Sequence, residues 1–406
     1  MDATRKSVRY ITSLRQVDNL SAAEQARLAP VAEKFAFRTN NYYLGLIDWD
    51  DPHDPIRRLV VPDIQELREF GQADASSEAS YTVVNGLEHK YRDTALLLVN
   101  RVCGSYCRFC FRKRLFRQAS AEVVNDLTAA LRYIGAHPEI NNVLLSGGDP
   151  LTLSTRRLEE IIRRLREIDH VKIIRIGTKM PAFNPYRILN DPQLPEMLAR
   201  YSTQERKIFL MTHFNHPREL TDVALRGLAC LQKAGVATVS QSPVIRGVND
   251  TPEVIAALFS RLSYNGVPPY YLFICRPTVG NFPFMVPVEE CLKIFELAQR
   301  DLSGLARQAR LCMSHKTGKV EVVGRIEHQI AFRYHRAAHE KDRNRLMLVE
   351  STPEAYWLDD YFSGPPMDSE IRSGAEAAEG ACRPRSRSPR GNESADPRGA
   401  VVAPSS

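Results

Sequence analysis

From Ala95 onward the chain alternates between two kinds of segment, and this alternation restricts the fold more than any other feature. Short β-rich apolar runs occur at Ala95–Val99, Asn142–Leu145, Val171–Ile176, Ile208–Met211, Val236–Ser240 and Tyr270–Ile274. Between them apolar residues recur at helical spacing, as in Leu158, Ile161, Ile162, Leu165 and Ile168, or Val254, Ile255, Leu258, Phe259 and Leu262. A continuous apolar run is a strand covered on both faces, and a helix between two runs returns the chain to start a parallel neighbour. Six such units predict an α/β fold, a partial (β/α)6 TIM-like barrel rather than a closed eightfold one.

The barrel is expected over 95–303. Residues 1–94 read as an N-terminal helical wrapping domain with Pro- and Asp-rich turns near Asp50–Asp54, and 304–367 as a C-terminal cap on the barrel mouth. Residues 368–406 are rich in Ser, Pro, Gly, Ala and Arg, too poor in large apolar groups to offset ordering entropy, and are expected to be disordered. At 43% hydrophobic and 25% charged, the 406-residue chain is ordinary globular material, which excludes a collagen-like or coiled-coil protein. The net charge of +7 leaves nucleic acid, membrane surfaces or small anions open as partners. No signal-peptide core occupies Met1–Ser13 and no apolar run approaches a membrane span, so a soluble, cytoplasmic location is expected.

Eight cysteines are too sparse for a disulfide scaffold, and three of them fall within Cys103-Gly-Ser-Tyr-Cys107-Arg-Phe-Cys110. This loop leaves the first strand and gathers three thiolates. A [4Fe–4S] cluster takes four ligands, so three cysteines leave one iron open to a small molecule. Structural zinc also wants four, but Cys230, Cys275, Cys291 and Cys312 are isolated packing candidates. At the end of the second strand stands Ser146-Gly147-Gly148-Asp149. Alone it reads as a tight turn; one strand beyond the cysteines it reads as a ligand-binding strand end.

Together these features resemble the radical S-adenosylmethionine superfamily. His89-Lys-Tyr, Leu96-Leu-Leu-Val, Cys107-Arg-Phe-Cys-Phe-Arg112, Thr212-His-Phe-Asn-His-Pro217, Gln241-Ser and Arg246-Gly-Val-Asn-Asp250 narrow the likeness to the lysine 2,3-aminomutase family. The resemblance implies a [4Fe–4S] cluster held by Cys103, Cys107 and Cys110, with S-adenosyl-L-methionine on the open iron. It further implies pyridoxal 5'-phosphate and an isomerase that moves an α-amino group from C2 to C3. Phe109, Ser146, Gly147, Gly148, Asp149, His213 and Gln241 match positions around S-adenosylmethionine.

The same resemblance places the cofactor's lysine at Lys319, in Thr317-Gly-Lys-Val320, with Lys316 as its neighbour. Lys90 and Tyr91 fall in the phosphate-binding stretch, where the family's second arginine has become Thr94 and Arg92 shares a face with Lys90. Arg112 matches the residue that grips the substrate α-carboxylate. Where lysine-specific members carry two acids for the side-chain ammonium, this chain has Arg276 and Cys312. Like charges about 4 Å apart at an effective dielectric of 20 repel by about 4 kcal/mol, so a glutamate-like anionic or polar tail is expected instead of lysine. In the competing reading, Arg276 holds the cofactor phosphate in place of the missing arginine. The segment Phe332–His339, dense in bases and aromatics, lines the barrel mouth or forms an exposed helix.

The implied partners are a small amino-acid substrate, an electron donor such as flavodoxin or ferredoxin, and a second copy in a homo-oligomer. Two rivals remain: a member acting on a protein-bound amino acid or RNA, and a non-enzymatic iron–sulfur protein binding nucleic acid. The last would need a basic stripe with aromatics, and no nucleic-acid module is recognisable. Acidic residues are absent between Asp93 and Glu122 while Arg101, Arg108, Arg112, Lys113, Arg114 and Arg117 are present, so the charge reads as local compensation for thiolates, carboxylates and phosphate.

Overall fold

The computed structural model describes residues 7–116 and 122–362. The tail over 368–406 and Arg117 lie outside the described residues. Strands β1 (Tyr10–Ile11) and β2 (Thr39–Asn40) pair on their own. The remaining twelve form one sheet in strict chain order: β3 (Thr82–Val84), β4 (Leu87–Tyr91), β5 (Thr94–Asn100), β6 (Asn142–Gly147), β7 (Ile173–Thr178), β8 (Ile208–His213), β9 (Ala237–Val244), β10 (Pro269–Ile274), β11 (Arg310–His315), β12 (Gly318–Ile326), β13 (Gln329–Ala337) and β14 (Leu346–Glu350).

All six expected strands are present, as β5 to β10, and all pair in parallel. The two helical stretches named from periodicity form Thr155–Arg166 and Pro252–Tyr264. Ser154 and Thr251 cap them by accepting the amides of Arg157 and Val254, and Pro252 occupies the first turn, where its missing N–H costs nothing. Helix Asp222–Lys233 is capped the same way by Thr221.

At both ends the sheet is longer than expected. β11 adds a seventh parallel strand, and β12 to β14 continue the sheet antiparallel, so the expected cap is built largely around an extension of the sheet. Phe332–His339 is mostly β13 and not a helix. The N-terminal region is helical over Ala22–Lys34 but also supplies β3 and β4 as an antiparallel start to the sheet.

The sheet has two edges, yet side chains tie its first strands to its last. Lys90 Nζ on β4 donates to the His315 carbonyl at 2.6 Å, and the Tyr81 hydroxyl to the Lys316 carbonyl at 2.7 Å. Arg336 on β13 reaches the Thr94 hydroxyl at 3.1 Å. These bonds draw the sheet round into a partial barrel. The N-terminal region closes over the cysteine loop: Ile56, Leu59 and Tyr43 share a buried cluster with Phe109, Phe183 and Cys275. The Leu59 carbonyl also accepts the Arg108 amide at 2.9 Å.

Candidate active site

The strand ends and the cysteine loop surround one cavity of about 320 Å³. The residues given a cluster, cofactor or substrate role line it: the three cysteines, Phe109, Ser146 to Asp149, His213, Gln241, Lys90, Tyr91, Arg112, Arg276 and Lys319. Arg92, by contrast, is exposed, and neither it nor Cys312 is among the lining residues.

Burial raises all three thiols, Cys107 to about 12, and neighbouring thiols and Asp149 push Cys103 further. Metal loading must therefore displace protons from them. No three Cys, His, Asp or Glu side chains among the described residues converge as one metal ion requires. A cluster, which offers each thiolate its own iron, fits the loop better than mononuclear zinc. Phe109 beside Cys110 is buried and meets the His213 ring edge-on at 5.8 Å. His213 ends β8 directly opposite Gln241 on β9, and burial with nearby Lys179 keeps its imidazole neutral.

The glycine pair serves the chain's own backbone. Gly147 has φ +114°, and a Cβ on Gly148 would stand 2.4 Å from the Val102 carbonyl oxygen. The Gly148 amide donates to the Asn100 carbonyl at 2.6 Å, and that of Asp149 to the Val102 carbonyl at 2.8 Å. This close approach fixes the base of the cysteine loop. The Asp149 carboxylate turns to β7, accepting the Thr178 hydroxyl at 2.8 Å and the amides of Lys179, Met180 and Leu151 at 2.7, 3.1 and 3.0 Å. Burial still lifts it to about 6.

Two glutamates that sequence reasoning missed organise the basic loop. Glu66 accepts Arg108 through both oxygens at 2.9 and 2.8 Å and Lys113 at 3.1 Å, all buried. Glu78 accepts Arg112 at 2.8 and 3.0 Å and Arg114 at 2.6 Å. Burial opposes its charge, but Arg112 above all holds it down to about 2. The compensation expected from cluster and ligands is thus met in part by carboxylates of the N-terminal region. Arg112 also donates to Ser146 Oγ at 2.9 Å.

Arg276 stacks on Phe111 at 3.6 Å and stands 3.8 Å from Glu78. Its Nη1 is buried without a hydrogen-bond partner, as is Glu88 Oε1. Burial and the charge of Glu78 lift Glu88 to about 8, so it is largely protonated at neutral pH. Lys319 lies over the rings of Tyr271 and Phe273 at 4.1 and 4.7 Å. Burial, with Arg175, Arg276 and Arg336 nearby, lowers its amine to about 7. Lys316, by contrast, is half exposed and pairs with Asp359 at 3.4 Å.

Residues 97–259 match the model of the Radical SAM superfamily. The chain is 51% identical over 357 residues to a provisionally named L-lysine 2,3-aminomutase of Aquifex aeolicus, spanning 88% of this chain and 96% of that one. It is 37% identical to the L-lysine 2,3-aminomutase of Clostridium subterminale over 74% of this chain and 71% of the relative. Against that of Acetoanaerobium sticklandii the identity is also 37%, over 74% and 72%. The crystal structure of Streptococcus suis SuiB aligns at TM-score 0.39 and 13% identity, over 55% of this chain and 50% of that one, too remote to carry weight. No helix among the described residues is long and apolar enough to cross a membrane. The family acts on small substrates with a [4Fe–4S] cluster, S-adenosylmethionine, pyridoxal phosphate and a reductant. On these grounds the chain is an isomerase and belongs to the lysine 2,3-aminomutase family of radical S-adenosylmethionine enzymes.

Proposed function

We propose that the protein is a pyridoxal-phosphate-dependent amino-acid 2,3-aminomutase whose substrate carries an anionic or polar tail, such as glutamate, rather than the ammonium of lysine. The observation that carries this reading is the charge state of the cavity's carboxylates. Glu78 is already shared by Arg112 and Arg114, Glu88 is held largely protonated, and Arg276, whose Nη1 has no hydrogen-bond partner, lines the same cavity. A lysine ammonium would find no free carboxylate there and would meet Arg276. A carboxylate or amide would satisfy Arg276 instead.

Cys103, Cys107 and Cys110 would hold the cluster, which with S-adenosylmethionine would supply the adenosyl radical. Phe109, Ser146, His213 and Gln241 line the same cavity as the cysteines and would position that cofactor. Asp149 acts at one remove, by tying the end of β6 to β7. Pyridoxal phosphate, when bound, supplies the electronic system that lets an amino group pass between adjacent carbons. Lys319 suits the task of holding it, because an amine lowered to about 7 is neutral often enough to attack a carbonyl. The substrate carboxylate competes with Glu78 for Arg112, so its entry requires that pair to share or exchange partners. The aromatic floor of Tyr271 and Phe273 keeps water from the Lys319 amine.

The reading extends to a one-electron donor of the flavodoxin or ferredoxin type, to a cytoplasmic homo-oligomer, and to barrel, N-terminal and C-terminal regions acting as one unit around the cavity. Its test is anaerobic incubation of the reconstituted enzyme with free amino acids, scoring β-amino products.

A further inference from the structure

The surroundings of Lys319 hold more positive charge than the protein balances. Arg175, Arg276 and Arg336 all weigh on its charge, while the buried Cys312 thiol favours it; Glu78 and Asp93 meet two of the three arginines. Arg276 shares Glu78 and leans on Phe111, on the Arg112 side of the cavity. The other two differ. Arg175, in the middle of β7, spends its Nε on Asn142 Oδ1 at 2.9 Å and forms no ion pair among the described residues. Arg336 sits on β13 directly across from Lys319, and directly opposed residues on antiparallel strands share a face. Its guanidinium lies over the Tyr91 ring at 4.5 Å and donates to the Thr94 hydroxyl at 3.1 Å. Half-exposed Asp93 takes one of its N–H groups and fixes its aim. Lys90 enters the same cavity from the Tyr91 strand.

We propose that Arg336 and Arg175, with the Thr94 hydroxyl between their strands, form the pocket for the phosphate of the pyridoxal cofactor. This inference rests on Lys319 carrying that cofactor. A dianion attached to whatever Lys319 holds neutralises Arg175 and adds to half-exposed Asp93 at Arg336, and the planar N–H forks of both arginines match phosphate oxygens. The anchor expected at position 94 is thereby supplied from β13, across the gap between the sheet's first and last strands. Arg276 is then released from the phosphate role and left for the substrate.

The test compares pyridoxal phosphate with pyridoxal, which lacks the phosphate, by absorbance titration of the cluster-loaded protein. In Arg336→Gln, affinity for pyridoxal phosphate falls on the order of ten- to hundredfold while pyridoxal binding stays within about twofold. Arg336→Lys restores part of the loss, and inorganic phosphate competes with pyridoxal phosphate in the wild type. Equal effects on both ligands, or none on either, overturn the assignment of Arg336. A wild-type protein that takes up no pyridoxal phosphate overturns the cofactor reading itself, and this inference with it. Arg175→Gln gives an independent second variant with the same expected pattern.

Discussion

Glu78 closes both carboxylate oxygens on the guanidinium of Arg112, at 2.8 and 3.0 Å, inside the cavity. A carboxylate from the N-terminal region therefore already stands where the family resemblance would put the substrate's own. The arrangement keeps a buried arginine satisfied between turnovers, and it makes the N-terminal region part of the site.

Acid stability reports this pair. Glu78 ionises at about 2 when folded against 4.5 when free, so its contribution is complete above pH 4.5 and is lost as pH falls toward 2. Glu78→Gln should unfold with a deficit on the order of 3 kcal/mol at neutral pH that shrinks across that window. Urea unfolding of both proteins at a series of pH values checks it; a constant deficit would show that the pair contributes no ionisation-linked stability.

Lys319 has the opposite sign. Its amine falls from 10.5 to about 7 on folding, so keeping it buried costs increasing stability as pH drops through that interval. Lys319→Met should gain stability relative to wild type from about pH 10 down to 7 and then level off. Borohydride reduction with pyridoxal phosphate, followed by peptide mapping, should label Lys319. A label on Lys316 would contradict the assignment.

Cys107→Ala should abolish the cluster's absorbance and all cleavage of S-adenosylmethionine, because its iron would lose its only protein ligand. Retained cleavage would refute the radical chemistry at this loop.

Gly148→Ala probes the backbone contact under the loop. The added Cβ must displace the Val102 carbonyl from 2.4 Å, costing about 1–3 kcal/mol and shifting the cysteines. Iron content per chain, measured after reconstitution, should fall more than thermal stability alone accounts for.

The parallel strands were legible because β5 to β10 each carry a short β-rich, mostly apolar stretch between helical segments, even where Arg175 or Gln241 interrupts it. β11 was not: it begins at Arg310 and ends in Ser314 and His315, so only a short apolar stretch marks it. β12 to β14 mix charged and half-exposed positions with apolar ones and have no helices between them, and were folded into a cap. The cluster, cofactor and substrate candidates came from motifs, and other cavity-lining residues such as Glu78 and Arg175 did not. Glu66 and Glu78 lie far from the arginines in sequence, and no local pattern announces a carboxylate that a fold will bury beside them. Arg336 falls in Phe332–His339, noted for its bases and aromatics, but only the register places it across from Lys319. For Gly147, Gly148 and Asp149 the motif was right about place, while the structure ties their geometry to Asn100, Val102 and Thr178.

Substrate choice tests the central claim most directly. The reconstituted enzyme, given glutamate, glutamine, aspartate, arginine and lysine under anaerobic conditions with S-adenosylmethionine and reductant, should yield a β-amino acid from an acidic or amide substrate, with lysine poorest. Arg276→Asp should shift that preference toward lysine, since an interaction of about 4 kcal/mol at 4 Å changes sign. Lysine as the best substrate of the wild type, with no shift on Arg276→Asp, would contradict the account.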